Sequence, residues 1–140
     1  MSEEPIRFAL NRTVAPKLPL AAFLVLARKV GASAVEIRND IKGQEFADGT
    51  PASDLKRRIS EAGLDVASIN ALQRFNDWTP ERERNAISLI RYAAGLGAPG
   101  IVMCPVIDAD HGWSDAELEA KLRQSLKALK PIYADHGVIG

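Results

Sequence analysis

A repeat of 32 to 40 residues, marked by glycine, constrains the fold of this chain more than any other feature. Four glycines each follow a stretch with helical apolar spacing and precede a short run of β-branched or apolar residues: Gly31, Gly63, Gly97 and Gly137. Glycine just past a helix end adopts a left-handed conformation without a Cβ penalty, so it ends the helix and turns the chain. A period of this length accommodates one strand, one helix and two short loops. The sequence therefore predicts consecutive βα units.

The pattern places each element of these units. It predicts strands over 6–11, 33–38, 66–70 and 101–104, with a fifth beginning at Val138. The first helix is predicted over 20–30, where apolar residues recur every three or four positions. Thr50-Pro51, Thr79-Pro80 and the Ser114–Glu117 capping box predict the starts of the other three helices. Because no linker or low-complexity segment divides residues 1–140, we expect a single domain.

Strands joined by helical crossovers form a parallel sheet, which leaves an open doubly wound sheet or part of a (βα)8 barrel. Side-chain alternation favours the barrel. Successive residues of a strand point to opposite faces, and the residues of one alternating set (one parity) are polar or small: Ala9, Asn11, Glu36, Arg38, Ser68, Asn70, Val102 and Cys104. The other is mostly apolar: Phe8, Leu10, Val35, Ile37, Ala67, Ile69, Ile101 and Met103. Helices on both faces would require strands that are apolar throughout. The sequence therefore predicts an α/β fold forming the N-terminal (βα)4 half of a TIM barrel, since a whole barrel takes about 250 residues.

The amino-acid composition excludes some classes of binding partner. The 140 residues carry 18 basic and 18 acidic side chains, so the net charge is zero, which disfavours nucleic acid as a ligand. No apolar run approaches the roughly 20 residues that span a bilayer, so we expect no membrane partner. The acidic N-terminus does not resemble a secretory signal, and one cysteine, Cys104, cannot form an internal disulfide. We therefore expect a cytoplasmic location.

Several segments resemble the xylose isomerase-like barrel family of sugar isomerases and epimerases, and within it the inosose isomerases of inositol catabolism. The resemblance is carried by 8–11, 34–38, 68–76, 97–106 and 136–139, of which 68–76 and 97–106 are the most specific. It implies a carbohydrate-metabolising enzyme that moves a proton or hydride between neighbouring carbons of a sugar or polyol. It also implies a divalent metal ion (Mn, Mg, Co or Zn) held by glutamate, aspartate, histidine and glutamate on later strands. None of these ligands matches a position here, so we expect a chain truncated at its fifth strand, without a metal site and inactive alone.

Four residues are candidates for substrate binding, while the catalytic residues stay unassigned. Glu36 and Arg38 share one face of the second strand, where they contact substrate hydroxyls or form a structural ion pair. Asn11 and Asn70 are expected at the ends of the first and third strands. Their amides suit a hydroxyl-rich ligand, and the alternative is a turn asparagine bonded to nearby backbone.

Two further groups have structural interpretations. Cys104 lacks a histidine within its own unit, which favours a buried core thiol over a nucleophile. Asp108, Asp110 and His111 form an acidic–histidine cluster, but their spacing matches no ligand motif and favours a solvated loop.

Three functions from different classes follow. The first is the N-terminal half of a metal-dependent sugar or inosose isomerase or epimerase, with a small sugar or polyol as partner. The second is a non-catalytic half-barrel that self-associates as a homo-oligomer or binds a complementary half-barrel, because a half-barrel leaves strand edges uncovered. The third is a DNA-repair endonuclease-like barrel, which the zero net charge disfavours.

Overall fold

Four parallel strands form one sheet in the order β1-β2-β3-β4. The computed structural model describes residues 5–107 and 111–140. Strands and helices alternate along the chain: β1 Ala9–Asn11, α1 Leu20–Lys29, β2 Ala34–Arg38, α2 Ala52–Glu61, β3 Asp65–Gln73, α3 Pro80–Leu96, β4 Ile101–Cys104 and α4 Asp115–His136. Two short 3₁₀ turns, Arg12–Val14 and Phe46–Asp48, lie in the loops that follow β1 and β2. The predicted βα repeat is confirmed.

The four repeat glycines end their helices as predicted. Their φ angles are 83°, 71°, 81° and 64° in chain order, a region that only glycine adopts readily. After the last of them, Ile139 forms a parallel bridge to Gly100, which extends the sheet beyond β4. This single bridge lies one residue after the predicted start at Val138, and no fifth strand is formed within the described residues.

The core lies on one face of the sheet. Val35, Ile37 and Ile69 have no exposed surface, and they pack with the inward residues of the helices, such as Phe23 and Leu89. The opposite face carries the polar parity, and its side chains from β2, β3 and β4 are half-buried. This one-sided helix layer is the arrangement that the alternation predicted.

The helix starts are confirmed in part. Thr79 accepts a hydrogen bond from the Arg82 N–H at 3.1 Å, and the Ser114–Glu117 capping box is present. Thr50 does not cap α2, contrary to the expectation. Its hydroxyl donates to Asp48 at 3.1 Å, because the preceding loop folds back on the Asp48 carboxylate.

Two strand predictions require correction. The first strand covers three residues rather than six, since β2 offers ladder partners only from Ala34 onward, and Phe8 is 66% exposed instead of packing on helices. The third strand runs on to Gln73, because it pairs with Met103 and Cys104 of β4. Asn70 therefore lies inside a strand and not at its end.

Candidate functional site

The strand register places the candidate residues in two adjacent rows. Asn11, Glu36 and Ser68 are neighbours across β1, β2 and β3, and Arg38, Asn70 and Val102 are neighbours one pleat further along. Neighbouring strands lie about 4.8 Å apart, so polar side chains on the same face come within hydrogen-bonding range. The four predicted residues therefore meet near the C-terminal ends of the strands. We call the set Asn11, Glu36, Arg38, Ser68 and Asn70 the polar cluster.

Glu36 is the acceptor at the centre of the polar cluster. Its carboxylate accepts hydrogen bonds from the Asn11 amide, from the Ser68 hydroxyl at 2.6 Å, and from the Asn70 amide at 3.4 Å. Three donors from both neighbouring strands thus fix one half-buried carboxylate. Ser68 was not among the predicted binding residues, although its position on the polar parity was visible in the sequence.

Arg38 does not pair with Glu36 as the structural alternative expected. Its Nε and Nη2 donate to the two oxygens of Asp40 at 2.9 and 2.5 Å, and its Nη1 donates to the Asn70 amide oxygen at 2.9 Å. The hydrogen bond with Arg38 lowers the pKa of Asp40, and the same bond raises the pKa of Arg38. The guanidinium is therefore held in one orientation by a carboxylate that sequence reasoning missed.

Asn11 combines both roles that the sequence left open. Its side-chain oxygen accepts from the Thr13 N–H at 2.8 Å and from the Thr13 hydroxyl at 2.6 Å, which is the turn arrangement. Its amide nitrogen donates to Glu36. The turn thus orients the amide toward the polar cluster.

Asn39 supports the third strand from outside the cluster. The pairing of β3 with β4 passes from Asn70–Val102 to Leu72–Met103, so Ala71 has no partner in β4. The Asn39 side chain supplies one, since it accepts from the Ala71 N–H and donates to the Ala71 carbonyl, both at 2.9 Å. Nothing in the local sequence distinguishes this residue from a turn asparagine.

The remaining sequence candidates lie outside the polar cluster's hydrogen bonds. Cys104 is half-buried at the end of β4, not fully buried as a core thiol would be. His111 accepts a hydrogen bond from the Trp113 N–H at 2.8 Å, which is a loop contact. Asp108 and Asp110 lie outside the described residues.

A complete metal centre does not fit the part of the chain that the structure describes. Within 5–107 and 111–140, no three His, Cys, Asp or Glu side chains are grouped so that they could hold an ion. A metal ion in a protein takes several such ligands at once. What these residues can do is bind hydroxyl groups, since they combine carboxylate and amide acceptors with amide, hydroxyl and guanidinium donors.

A separate groove of about 610 Å³ lies at the opposite, N-terminal ends of the strands, where Arg7, Lys56 and Pro99 contribute to its wall. Its ion pair, between Arg7 and Asp65, is largely exposed. Parallel sheets place ligand chemistry at the C-terminal strand ends. We therefore assign the candidate site to the polar cluster.

No helix in the described part of the chain is both long and apolar enough to cross a membrane. No curated protein sequence matches the chain. A xylose isomerase domain-containing protein from Salmonella typhimurium is similar to it, with 29% identity and a TM-score of 0.82 over 99% of this chain and 49% of that one. The IolI protein, solved with a bound zinc atom, shares 21% identity and a TM-score of 0.82 over 96% and 50% of the two chains.

D-psicose 3-epimerase from Clostridium cellulolyticum, solved with D-tagatose, shares 13% identity and a TM-score of 0.70 over 95% of this chain and 50% of that one. The chain thus spans about half the length of these structures, and its four units match half of a TIM barrel. The family model described as xylose isomerase-like TIM barrel matches residues 24–140. This family includes sugar isomerases and epimerases as well as endonuclease-like members. The chain belongs to the xylose isomerase-like TIM barrel family.

Proposed function

We propose that this chain forms the N-terminal half of the barrel of a divalent-metal-dependent sugar or polyol isomerase or epimerase, of the inosose type. Its part is to bind the substrate's hydroxyl groups through Glu36, Arg38, Asn70 and Asn11. The observation that carries the proposal is the polar cluster, where three strands bring a carboxylate, a guanidinium and two amides to the C-terminal end of the sheet. The hydroxyls of a sugar or polyol can both donate hydrogen bonds to these acceptors and accept them from these donors. Because such a ligand is neutral, its binding buries no additional charge.

The metal and the proton-transferring groups come, in this proposal, from residues outside those described. Glu36 and its neighbours do not form a metal site, so they orient the substrate and carry no step of the reaction themselves. Turnover by the 140-residue chain alone is therefore not expected. The zero net charge favours a sugar or polyol over the nucleic acid that an endonuclease-like member would bind.

Ligand titration of the isotope-labelled chain tests the binding role. D-tagatose and an inosose should shift the side-chain amide signals of Asn11 and Asn70, and Glu36→Gln should weaken that binding at least tenfold. Asp65→Asn is the matched control, because Asp65 is an exposed carboxylate at the opposite end of β3. Equal affinities in the wild type and Glu36→Gln, or shifts confined to residues outside the polar cluster, would contradict the proposal.

A second function is favoured by the open edges of the sheet. Ile6 and Phe8, which immediately precede β1, are large apolar side chains that are exposed. At the other edge, Ile139 and Leu126 of α4 are also exposed. Exposed apolar side chains beside uncovered strand edges are typical of surfaces that another chain covers. In this alternative, a second copy pairs its edges with these in a homodimer.

Sedimentation equilibrium separates the two functions. A dimer at micromolar concentration that Ile6→Ser and Phe8→Ser convert to monomer would support pairing through the β1 edge. The exposed Val14→Ser is the control, because Val14 lies in the loop after β1. A folded monomer at all concentrations would exclude pairing as the function of this surface.

A further inference from the structure

A fully buried ion pair joins the two loops that follow β1 and β2. Arg12 and Glu45 both have no exposed side-chain surface, and the Arg12 Nε donates to the two carboxylate oxygens at 3.0 and 3.1 Å. Arg12 directly follows Asn11 in the chain. Glu45 lies in the loop that begins after Arg38. The pair therefore connects the two loops on either side of the Asn11–Glu36 contact.

The rest of the guanidinium holds the first loop in shape. Its Nη2 donates to the Leu18 carbonyl at 2.5 Å, and its Nη1 donates to the Ala15 carbonyl. The Arg12 Cζ lies 4.9 Å from the centre of the buried Phe23 ring of α1. Every nitrogen of the guanidinium thus has a partner, and the partners cover most of the β1–α1 loop.

Glu45 belongs to a loop that is itself anchored. The Asp48 carboxylate accepts from the Glu45 N–H at 2.8 Å, and the next residue, Phe46, packs edge-on against Tyr92 of α3 with ring centres 4.8 Å apart. The Tyr92 hydroxyl donates to the Thr50 carbonyl at 2.8 Å. Through Glu45, Arg12 is therefore fastened to a loop that α3 keeps in place.

A buried ion pair is a poor source of stability, because desolvation offsets most of the attraction and apolar replacements are often equally stable. Its connections here indicate a different role. We propose that Arg12 and Glu45 are positioning residues, which hold the β1–α1 loop so that Asn11 presents its amide to Glu36 in the polar cluster. The effect on substrate rests on the proposed function, whereas the effect on Asn11 does not.

The double variant Arg12→Met/Glu45→Leu tests this role, because it replaces the pair with apolar side chains of similar length. We expect a urea-unfolding midpoint close to that of the wild type. The side-chain amide signal of Asn11 should nevertheless shift and broaden, and the affinity for D-tagatose should fall at least tenfold. Glu45→Gln keeps one acceptor for the Arg12 Nε. Its Asn11 signal and its affinity for D-tagatose should therefore lie between those of the wild type and the double variant.

The matched control is Arg57→Met/Glu61→Leu, which removes an exposed ion pair of 3.1 Å on α2 and should leave the Asn11 signal unchanged. A folded double variant with wild-type Asn11 signals would overturn the proposal. If the double variant does not fold, Glu45→Gln decides in the same way. If the wild type binds no ketose, the proposed function fails, and the Asn11 signal alone still tests the positioning role.

Discussion

Replacing Asn39 tests how the end of β3 is held. Asn39→Ala removes two hydrogen bonds, both of 2.9 Å, from the backbone of Ala71, a residue that is 1% exposed and has no partner in β4. Each buried polar group left unpaired costs about 1–3 kcal/mol. Some relaxation toward water is expected, because Asn39 itself is half-buried. We therefore expect the free energy of unfolding to fall by about 2–4 kcal/mol.

Urea unfolding followed by circular dichroism measures this loss. Asn85→Ala is the control, since Asn85 is exposed on α3 and its replacement should change the free energy of unfolding by less than about 0.5 kcal/mol. The Asn70 side-chain amide, one residue before Ala71, should also shift in Asn39→Ala and not in the control. A loss no larger than that of the control would refute the reasoning that Asn39 replaces a missing ladder partner.

Two further predictions concern pH and helix capping. Burial raises the pKa of Glu45 from its ordinary 4.5 to about 7. The positive charge of Arg12 lowers this pKa, and the negative charge of Asp48 raises it further. Folding therefore makes Glu45 easier to protonate, so the stability that its protonation adds is complete below pH 4.5 and is lost as pH rises through 7. Relative to Glu45→Gln, the wild type should lose up to about 3 kcal/mol in urea melts between pH 5 and 8, and parallel pH profiles would contradict this. Ser114→Ala removes the cap of α4 and should cost about 1 kcal/mol in the same assay, whereas the exposed Ser88→Ala on α3 should cost nothing measurable.

The repeat and the alternation were enough to predict the fold, because both depend on local chemistry. A glycine that ends a helix and a strand with one polar face act within a few residues, so Gly97 or the pair Glu36 and Arg38 indicate structure without knowledge of their partners. The same reasoning failed for Phe8. Its apolar character predicts burial, but its exposure depends on which element lies beside β1.

The residues that support the polar cluster could not be predicted in this way. Asn39 bonds to a residue 32 positions away, and Arg12 bonds to one 33 positions away, so their roles exist only once the units have packed together. In the sequence, Asn39 directly follows a predicted strand and precedes an aspartate, and Arg12 follows a strand end. Both positions are typical of solvated residues. Spacing close to the βα period is the signal that could have suggested the pairing, since it connects equivalent positions of neighbouring units.

The charges in and beside the polar cluster determine which sugars we expect it to bind. Glu36 and Asp40 carry two negative charges, and Arg38 carries one positive charge whose nitrogens are already bonded to Asp40 and Asn70. A phosphate group would therefore approach a net negative charge and would have to compete with Asp40 for the guanidinium. A neutral ligand meets no such cost, because hydroxyls can accept from the amides and donate to Glu36 Oε2, which accepts only the Ser68 hydroxyl. Among the substrates of the proposed function, we therefore expect free ketoses or inososes to bind at least tenfold more tightly than their phosphate esters. The reverse preference in the titrations would show that a positive group outside Glu36, Arg38 and Asp40 controls the site.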